Sequence, residues 1–336
     1  MSKRDINSHK MLLSVIILAY NQKDVLKQCI DSVLMQSYDN IEILVGDDSS
    51  YDYDEQEIKL HISKNRKENI KRIELVHHLE NIGIVQNAAY MLKLAKGNII
   101  KFIGADDILI HENVLRDIVN VFEKNKVCDI VVSKYIQYDQ QLKQALQTLP
   151  TKEILRVLKR GDRQEILDQL AFENIFGAAG VFLKREALIE LGLPRQEYRY
   201  LDDWPTWLYM MMNGKYVIYY DYPTVKYRIG GISTGKKGHR LLLDDQRILY
   251  REMIVPNINK FSRIRHKEIE FIYKRLNEYN GFSNYKKIVF SIRYSGLIIK
   301  RKIRKFKNKL SRGKKIYEET RKIGRSNSSS TSETIF

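Results

Sequence analysis

Between residues 13 and 135 short β-branched runs alternate with helix-length amphipathic stretches, and this order admits few folds. Residues 13–19 read as a strand, and 25–35 as a helix that places Val25, Leu26, Cys29, Ile30, Val33 and Leu34 on one face. Residues 41–45, 73–77 and 98–103 give three further strands. Between the last two, Ala88, Ala89, Leu92 and Leu94 mark a helix that Gly97 is expected to end. Residues 114–122 and 129–133 repeat the order helix then strand. Apolar strands joined by helical crossovers predict an α/β fold: a Rossmann-like open, mostly parallel sheet with flanking helices and ligands at the C-terminal strand ends. No GxGxxG follows the first strand, which argues against a dinucleotide-dependent oxidoreductase.

The run MLLSVIILAY at 11–20 follows Lys3, Arg4 and Lys10 and has the outline of a secretory leader. No small-residue cleavage site follows it, and it falls well short of the ~20 residues that span a bilayer, so it is read as the buried first strand. With 43% hydrophobic residues in 336, the chain can bury a sizeable core, which excludes disorder throughout. Cys29 and Cys128 lack CxxC or His-rich spacing, so neither a zinc site nor a disulfide framework is expected, and a reducing compartment fits. Residues 139–170 are polar and helix-prone, a compact stretch runs from about 176 to 229, and 241–280 read as helical.

Three acidic pairs stand out: Asp47-Asp48 after the second strand, Asp106-Asp107 after the fourth, and Asp202-Asp203 in LDDWPTW. In an open α/β sheet the first two pairs share one edge, where adjacent carboxylates make a hard oxygen site for Mg²⁺ or Mn²⁺ that also takes substrate phosphates. Taken singly, an Asp after a strand caps the next helix or makes a turn. Three pairs, two of them after strands of one sheet, favour the metal reading.

These residues carry a resemblance. SVIILAYNQKDVLKQCIDSVLMQSYDNIEILVGDDSSYD resembles the opening of glycosyltransferase family 2, NIGIVQNAAYMLKLAKGNIIKFIGADD is similar to its next block, and GAAGVFLKREALIELGLP and LDDWPTWLYMMMNG match its acceptor-side segments. The resemblance covers roughly residues 12–235 and implies a GT-A fold over 1–240, with a nucleotide-sugar half at about 1–135 and an acceptor half at about 136–240. It implies an inverting, metal-dependent enzyme that moves a sugar from a nucleotide-diphosphate donor, by expectation a UDP-sugar, to a glycan hydroxyl in surface-polysaccharide (capsule) synthesis. Carried over position by position, it implies that Ala19, Tyr20 and Asp48 line the nucleotide pocket with Asn87 nearby, and that Asp106 and Asp107 hold Mn²⁺ or Mg²⁺ on the diphosphate. Arg228 would reach that diphosphate, and Asp203 would be the catalytic base, with Asp202 and Trp204 on the acceptor side. The sequence departs from the family at Gly104, where the first Asp of Asp-x-Asp is expected, and at Ser49, where Gly is common. Asn87 is read equally well as a helix-facing polar contact.

The chemistry makes the same demand by itself. Breaking the anomeric C–O bond develops negative charge on the departing diphosphate, and a divalent cation stabilises it. A sugar hydroxyl is a weak nucleophile, so a carboxylate must take its proton during attack.

Other motifs leave readings open. GGISTGKK at 230–237 resembles the phosphate loop GxxxxGK[ST], but Lys237 stands where its hydroxyl belongs, so an NTPase is rejected. The segment is either a loop whose Lys236, Lys237, His239 and Arg240 close over a donor diphosphate or a mobile surface turn. Trp204 and Trp207 either stack on a sugar or pack into the core. Met210 to Met212 read as core, and His77 and His78, without acidic or Cys partners in metal-ligand spacing, as satisfied or exposed histidines.

The formal net charge is +17, yet residues 285–325 hold 16 Lys and Arg against Glu318 and Glu319, a local +14 that leaves the rest nearly neutral. There Ile299, Ile303, Phe306 and Leu310 recur at helical spacing among basic residues, with an apolar stripe of Ile288, Val289 and Ile292 upstream. Each Lys or Arg near an anionic surface contributes about 1 kcal/mol. The segment is therefore expected to hold a cytoplasmic protein peripherally at the inner face of the cell membrane, beside a lipid-linked oligosaccharide acceptor. A solvated helix is the plainer reading, and nucleic acid is not the expected partner because few aromatics are available for stacking. The expected organisation is a catalytic domain at 1–240, a helical basic extension at 241–325 and a disordered tail at 326–336. The alternative for the whole chain is a non-catalytic basic membrane- or nucleic-acid-binding protein on a degenerate nucleotide-sugar fold, which Gly104 leaves open.

Overall fold

The computed structural model of the chain describes residues 10–231, 238–299 and 303. It opens with β1 (Leu13–Ala19), α1 (Lys23–Leu34), β2 (Ile41–Asp47), α2 (Glu55–Asn65), β3 (Ile70–His77), α3 (Ile84–Leu94), β4 (Ile99–Gly104), β5 (Ile108–Leu109) and α4 (Val114–Lys124). There follow β6 (Cys128–Tyr138), β7 (Ala145–Leu149), α5 (Lys152–Arg160), α6 (Arg163–Leu170), β8 (Val181–Lys184), α7 (Arg185–Glu190), α8 (Trp204–Met212) and β9 (Tyr216–Arg228). The chain continues through α9 (Gly238–Ile248), a π-helical turn (Leu249–Ile254), α10 (Arg263–Asn277) and α11 (Asn284–Arg293).

Among the described residues these strands form one sheet in the order β3-β2-β1-β4-β8-β6-β9-β5, with β7 on β6. The four strands β3, β2, β1 and β4 are mutually parallel, as their helical crossovers require. β8 then runs antiparallel to β4 and to β6, and β9 lies parallel to β6. Alternate residues separate the two faces of the parallel half. Leu13, Val15, Ile17, Ile41, Ile43 and Val45 bury against Leu26, Ile30 and Val33 of α1 and Ile118 and Phe122 of α4, while α3 packs over β1 and β2 on the other side.

The expected elements are present, and three features differ from expectation, the last of them beyond residue 135. α3 ends at Leu94 with Ala95 as its C-cap, so Gly97 does not terminate it. Gly97 is needed for close approach: a Cβ there would lie 2.3 Å from Ser14 Oγ. α2 went unrecognised because its apolar face amounts to Ile58 and Ile62 among polar residues, and the polar stretch 139–170 contains β7 as well as two helices.

The chain divides into two compact units, Met1–Ile269 and Glu270–Phe336. Residues past 240 belong in part to the first, where Tyr250 Oη donates to Ala171 O at 2.6 Å. In the second, Phe271, Phe290 and Tyr294 form a small aromatic core with Tyr279 and Phe282 packed on it. Among the described residues no helix is long and apolar enough to cross a membrane.

Candidate active site

The parallel register lines up the strand ends. Ala19 lies opposite Asp47, Asp47 opposite His77, and Leu18 opposite Gly104, so the residues that follow β1, β2 and β4 share one edge. Tyr20 stands there 50% exposed, while Ala19 is buried.

The first acidic pair organises loops. Asp47 accepts from Ser50 N at 2.9 Å and Ser50 Oγ at 2.5 Å and pairs with His77 Nδ1 at 2.8 Å, and the His77 ring stacks on Tyr53. Asp48, buried, accepts Ile82 N at 2.8 Å on one oxygen and Gly83 N at 2.9 Å on the other. It therefore fixes the 81–83 loop against the end of β2 and keeps lone pairs for a further donor. Asn87 is buried, donates to Gly46 O at 2.8 Å and lies 3.2 Å from His78 Nε2. Of its two readings the polar contact is present: Asn87 pins α3 to the end of β2. His77 and His78 are satisfied histidines, as expected.

Asp106 and Asp107 converge over Gly104. A Cβ at Gly104 would lie 2.7 Å from Asp106 Oδ1 and 3.8 Å from Asp107 Oδ2, so any side chain at this position would occupy the space the two carboxylates face. Asp107 also accepts Arg228 N at 2.9 Å. Burial pushes both carboxyls above the usual carboxylate range, and for Asp107 the neighbouring Asp106 adds to it. Such a pair offers the one or two carboxylates that Mg²⁺ or Mn²⁺ uses when phosphates supply further ligands. Among the described residues no cluster of three or more His, Cys, Asp or Glu offers a closed metal cage. Arg228 is buried and committed to the protein: Nε donates to Asp106 O at 2.8 Å, Nη1 to Gln140 O, and Nη2 to Gln28 Oε1 at 3.1 Å. Only its two remaining N–H bonds could serve a diphosphate.

The third pair opens α8. Asp203 caps the helix, accepting Trp204 N at 2.6 Å on Oδ1 and Asn174 Nδ2 at 2.6 Å on Oδ2. Burial raises the Asp203 carboxyl, and burial together with Asp203 pushes Asp202 up to about 7. Trp204 and Trp207 are buried, with their indole N–H groups donating to Leu170 O and Phe176 O, so the core reading holds and neither ring is available to stack on a sugar. Met210, Met211 and Met212 are buried as expected. Burial first, then Tyr227, Asp203 and Asp107, raise the Tyr135 phenol.

Tyr135, Asn174 and Gln28 were not singled out from sequence, and nothing in their local context marks them. Lys101 carried a signal, a lone cation inside an apolar strand: it is fully buried with Nζ on Ala178 O, Ala179 O and Val181 O at 3.3, 2.5 and 3.3 Å. Lys236 and Lys237, and the side chains of His239 and Arg240, lie outside the described residues.

Comparison with known proteins agrees with this architecture. The model of Glycosyl transferase family 2 matches residues 14–192, more than half of the chain. Among curated proteins, residues of this chain are 36% identical over 128 positions, 38% of the chain and 48% of the relative, to the UDP-Glc:alpha-D-GlcNAc-diphosphoundecaprenol beta-1,3-glucosyltransferase WfaP of Escherichia coli. The chain thus spans about half the length of that relative. Among solved structures, S. aureus TarS 1-349 in complex with UDP-GlcNAc matches 82% of this chain and 74% of that one with a TM-score of 0.57 at 15% identity. The mannosyltransferase PcManGT from Pyrobaculum calidifontis in complex with GDP-Man and Mn2+ matches 86% and 76% with a TM-score of 0.56 at 16% identity. At these identities the two structures speak for the fold alone.

Proposed function

Because the chain belongs to glycosyl transferase family 2, we propose that it is an inverting glycosyltransferase that moves a sugar from a UDP-sugar to a glycan hydroxyl in surface-polysaccharide synthesis. One observation carries the reading: the acidic pairs that follow β2 and β4 share one edge of the sheet, and a Cβ at Gly83, whose amide Asp48 holds, would lie 3.7 Å from Arg199 O, three residues before Asp202-Asp203. In this reading the exposed Tyr20 ring receives the base, and Asp48, held by the 82–83 amides, accepts a hydrogen bond from base or ribose. The space over Gly104 suits a divalent cation held by Asp106 and Asp107, which when bound would neutralise charge on the departing diphosphate. Arg228 braces that pair, its Nε donating to Asp106 O and its backbone N to the Asp107 carboxylate at Oδ1.

Asp203 takes the proton of the attacking hydroxyl. Its carboxylate is oriented by Asn174 and Trp204 N, and its raised affinity for a proton brings it closer to neutral pH, where a general base works best. The donor in the relative's name supports a UDP-sugar, and the diphosphoundecaprenol in that name supports a lipid-linked acceptor. Asp203→Asn is expected to lower transfer by about 10² to 10⁴ with UDP-sugar affinity unchanged, read by product formation and calorimetry on the purified protein. Wild-type protein that neither binds nor turns over any UDP-sugar with Mn²⁺ present would sink the proposal.

A further inference from the structure

Asp245, on α9, is a buried carboxylate with 4% exposure. It accepts three consecutive backbone amides: Arg199 N at 3.0 Å, Tyr200 N at 2.6 Å and Leu201 N at 2.9 Å reach Oδ2, and Arg199 N also lies 3.2 Å from Oδ1. Successive N–H groups converging on one anion form a nest, and charge-assisted bonds of this kind are about twice as strong as neutral ones. The next two residues of the chain are Asp202 and Asp203. Between the end of α7 at Glu190 and the start of α8 at Trp204 the chain has no helix or strand of its own. A connection of that length has no ladder of backbone bonds to hold it to the sub-ångström tolerance that proton transfer needs.

We propose that Asp245 is a positioning residue for the acidic pair, resting on the assignment of Asp203 as the base. The pair is clamped from two sides. Asp245 fixes the backbone immediately before it, and Asn174 with Trp204 N fixes the Asp203 carboxylate itself. α9 therefore sets where the base stands relative to the acceptor hydroxyl, although Asp245 touches no substrate.

The test is Asp245→Asn, which keeps the shape but removes the negative charge on which the three amides converge and leaves an NH2 donor on the oxygen position that faces Arg199 N. Hydrogen exchange is expected to speed up at the amides of 199–203 and to stay unchanged in the β1–β4 strands. Turnover with acceptor is expected to fall by about 10- to 100-fold, with the KM and calorimetric affinity for UDP-sugar unchanged. In an Asp203→Asn background the same change should add no further loss, because a residue acting only through the base has nothing left to position. Unchanged exchange at 199–203, a loss that multiplies with that of Asp203→Asn, or a parallel loss of donor affinity would each overturn the proposal. Should Asp245→Asn not fold, Asp245→Glu keeps the charge, shifts its reach by one methylene and is read the same way. Wild-type protein without transferase activity would instead refute the assignment of Asp203, and with it this role, while the exchange result would still report on the clamp.

Discussion

Asp202 and Asp203 are neighbours with divided tasks. Asp203 spends one lone pair of each oxygen on orientation, through Trp204 N and Asn174, while Asp202 is pushed up to about 7 by burial and by Asp203. A carboxyl that binds its proton more tightly in the folded state contributes most stability at low pH and loses it as pH rises from about 4 towards 7. Asp202→Asn, which mimics the protonated acid, should therefore be the more stable protein at pH 8, by roughly 1 kcal/mol or 2–4 °C in Tm, with the gap closing as the pH is lowered towards 5. A melting series in pH steps reads this directly, and a gap that widens on acidification would refute it. Gly104 sharpens the same lesson. From sequence it is a missing metal ligand, but in space it is the floor over which Asp106 and Asp107 meet. Gly104→Ala would put a methyl 2.7 Å from Asp106 Oδ1, and Mn²⁺ affinity in the presence of UDP, followed by calorimetry, should fall by about tenfold, worth about 1.4 kcal/mol.

At the level of elements, β4 and β8 pair only at Ile99 with Lys184 and Ile100 with Leu183 before they part. Lys101 fills the gap, its ammonium on three carbonyls of the 178–181 turn and 4.7 Å from the Phe182 ring. Burial pushes that ammonium down to about 7. The unfolded chain thus holds the proton more tightly between about pH 7 and 10, so this group makes the fold gain stability as pH rises through that window. Lys101→Met should leave the turn carbonyls without their donor, cost about 2 kcal/mol, or roughly 4–8 °C in Tm, and flatten that pH dependence; a melting curve equal to wild type at pH 7 would show that water replaces the ammonium. The parallel strands were readable because apolar runs of five to seven residues bounded by polar turns have one common solution. α2 was not, because its burial rests on two isoleucines and the rest of its stability comes from capping by Asp54 and from ion pairs that sequence spacing does not reveal, such as Lys27 with Glu57. β7 escaped for a similar reason: none of its residues is buried, and it is added to the sheet by pairing with β6.

Across the whole molecule, the excess charge and an unpartnered apolar row fall in the same C-terminal stretch. α11 turns Phe290 and Tyr294 at its end into the aromatic core of the second unit, while Tyr285, Ile288, Val289 and Ile292 remain exposed, Ile288 at 59% and Ile292 at 70%. Their spacing of three and four places them on one helical face, beside Lys286 and Lys287, and the basic helix expected from 299 to 310 lies almost wholly outside the described residues. We propose that this face rests in the headgroup region of an anionic membrane, where burying apolar side chains and pairing lysines act together. Ile288→Asp combined with Ile292→Asp should reduce co-sedimentation with phosphatidylglycerol vesicles at low salt by at least about tenfold, with donor binding intact; equal sedimentation of variant and wild type would refute it. Sequence alone determined the parallel half of the sheet, the family and the two acidic pairs at its edge, because a period of two, a period of 3.6 and the residues at strand ends are local properties of the chain. Only the tertiary structure decided that Asn87 and both tryptophans are buried, that Arg228 is bound to backbone carbonyls, and that Asp245 reaches back to residues 199–201. Those outcomes depend on which distant groups arrive at hydrogen-bond distance of one another, and partners separated by thirty or more positions leave no periodic trace in the chain.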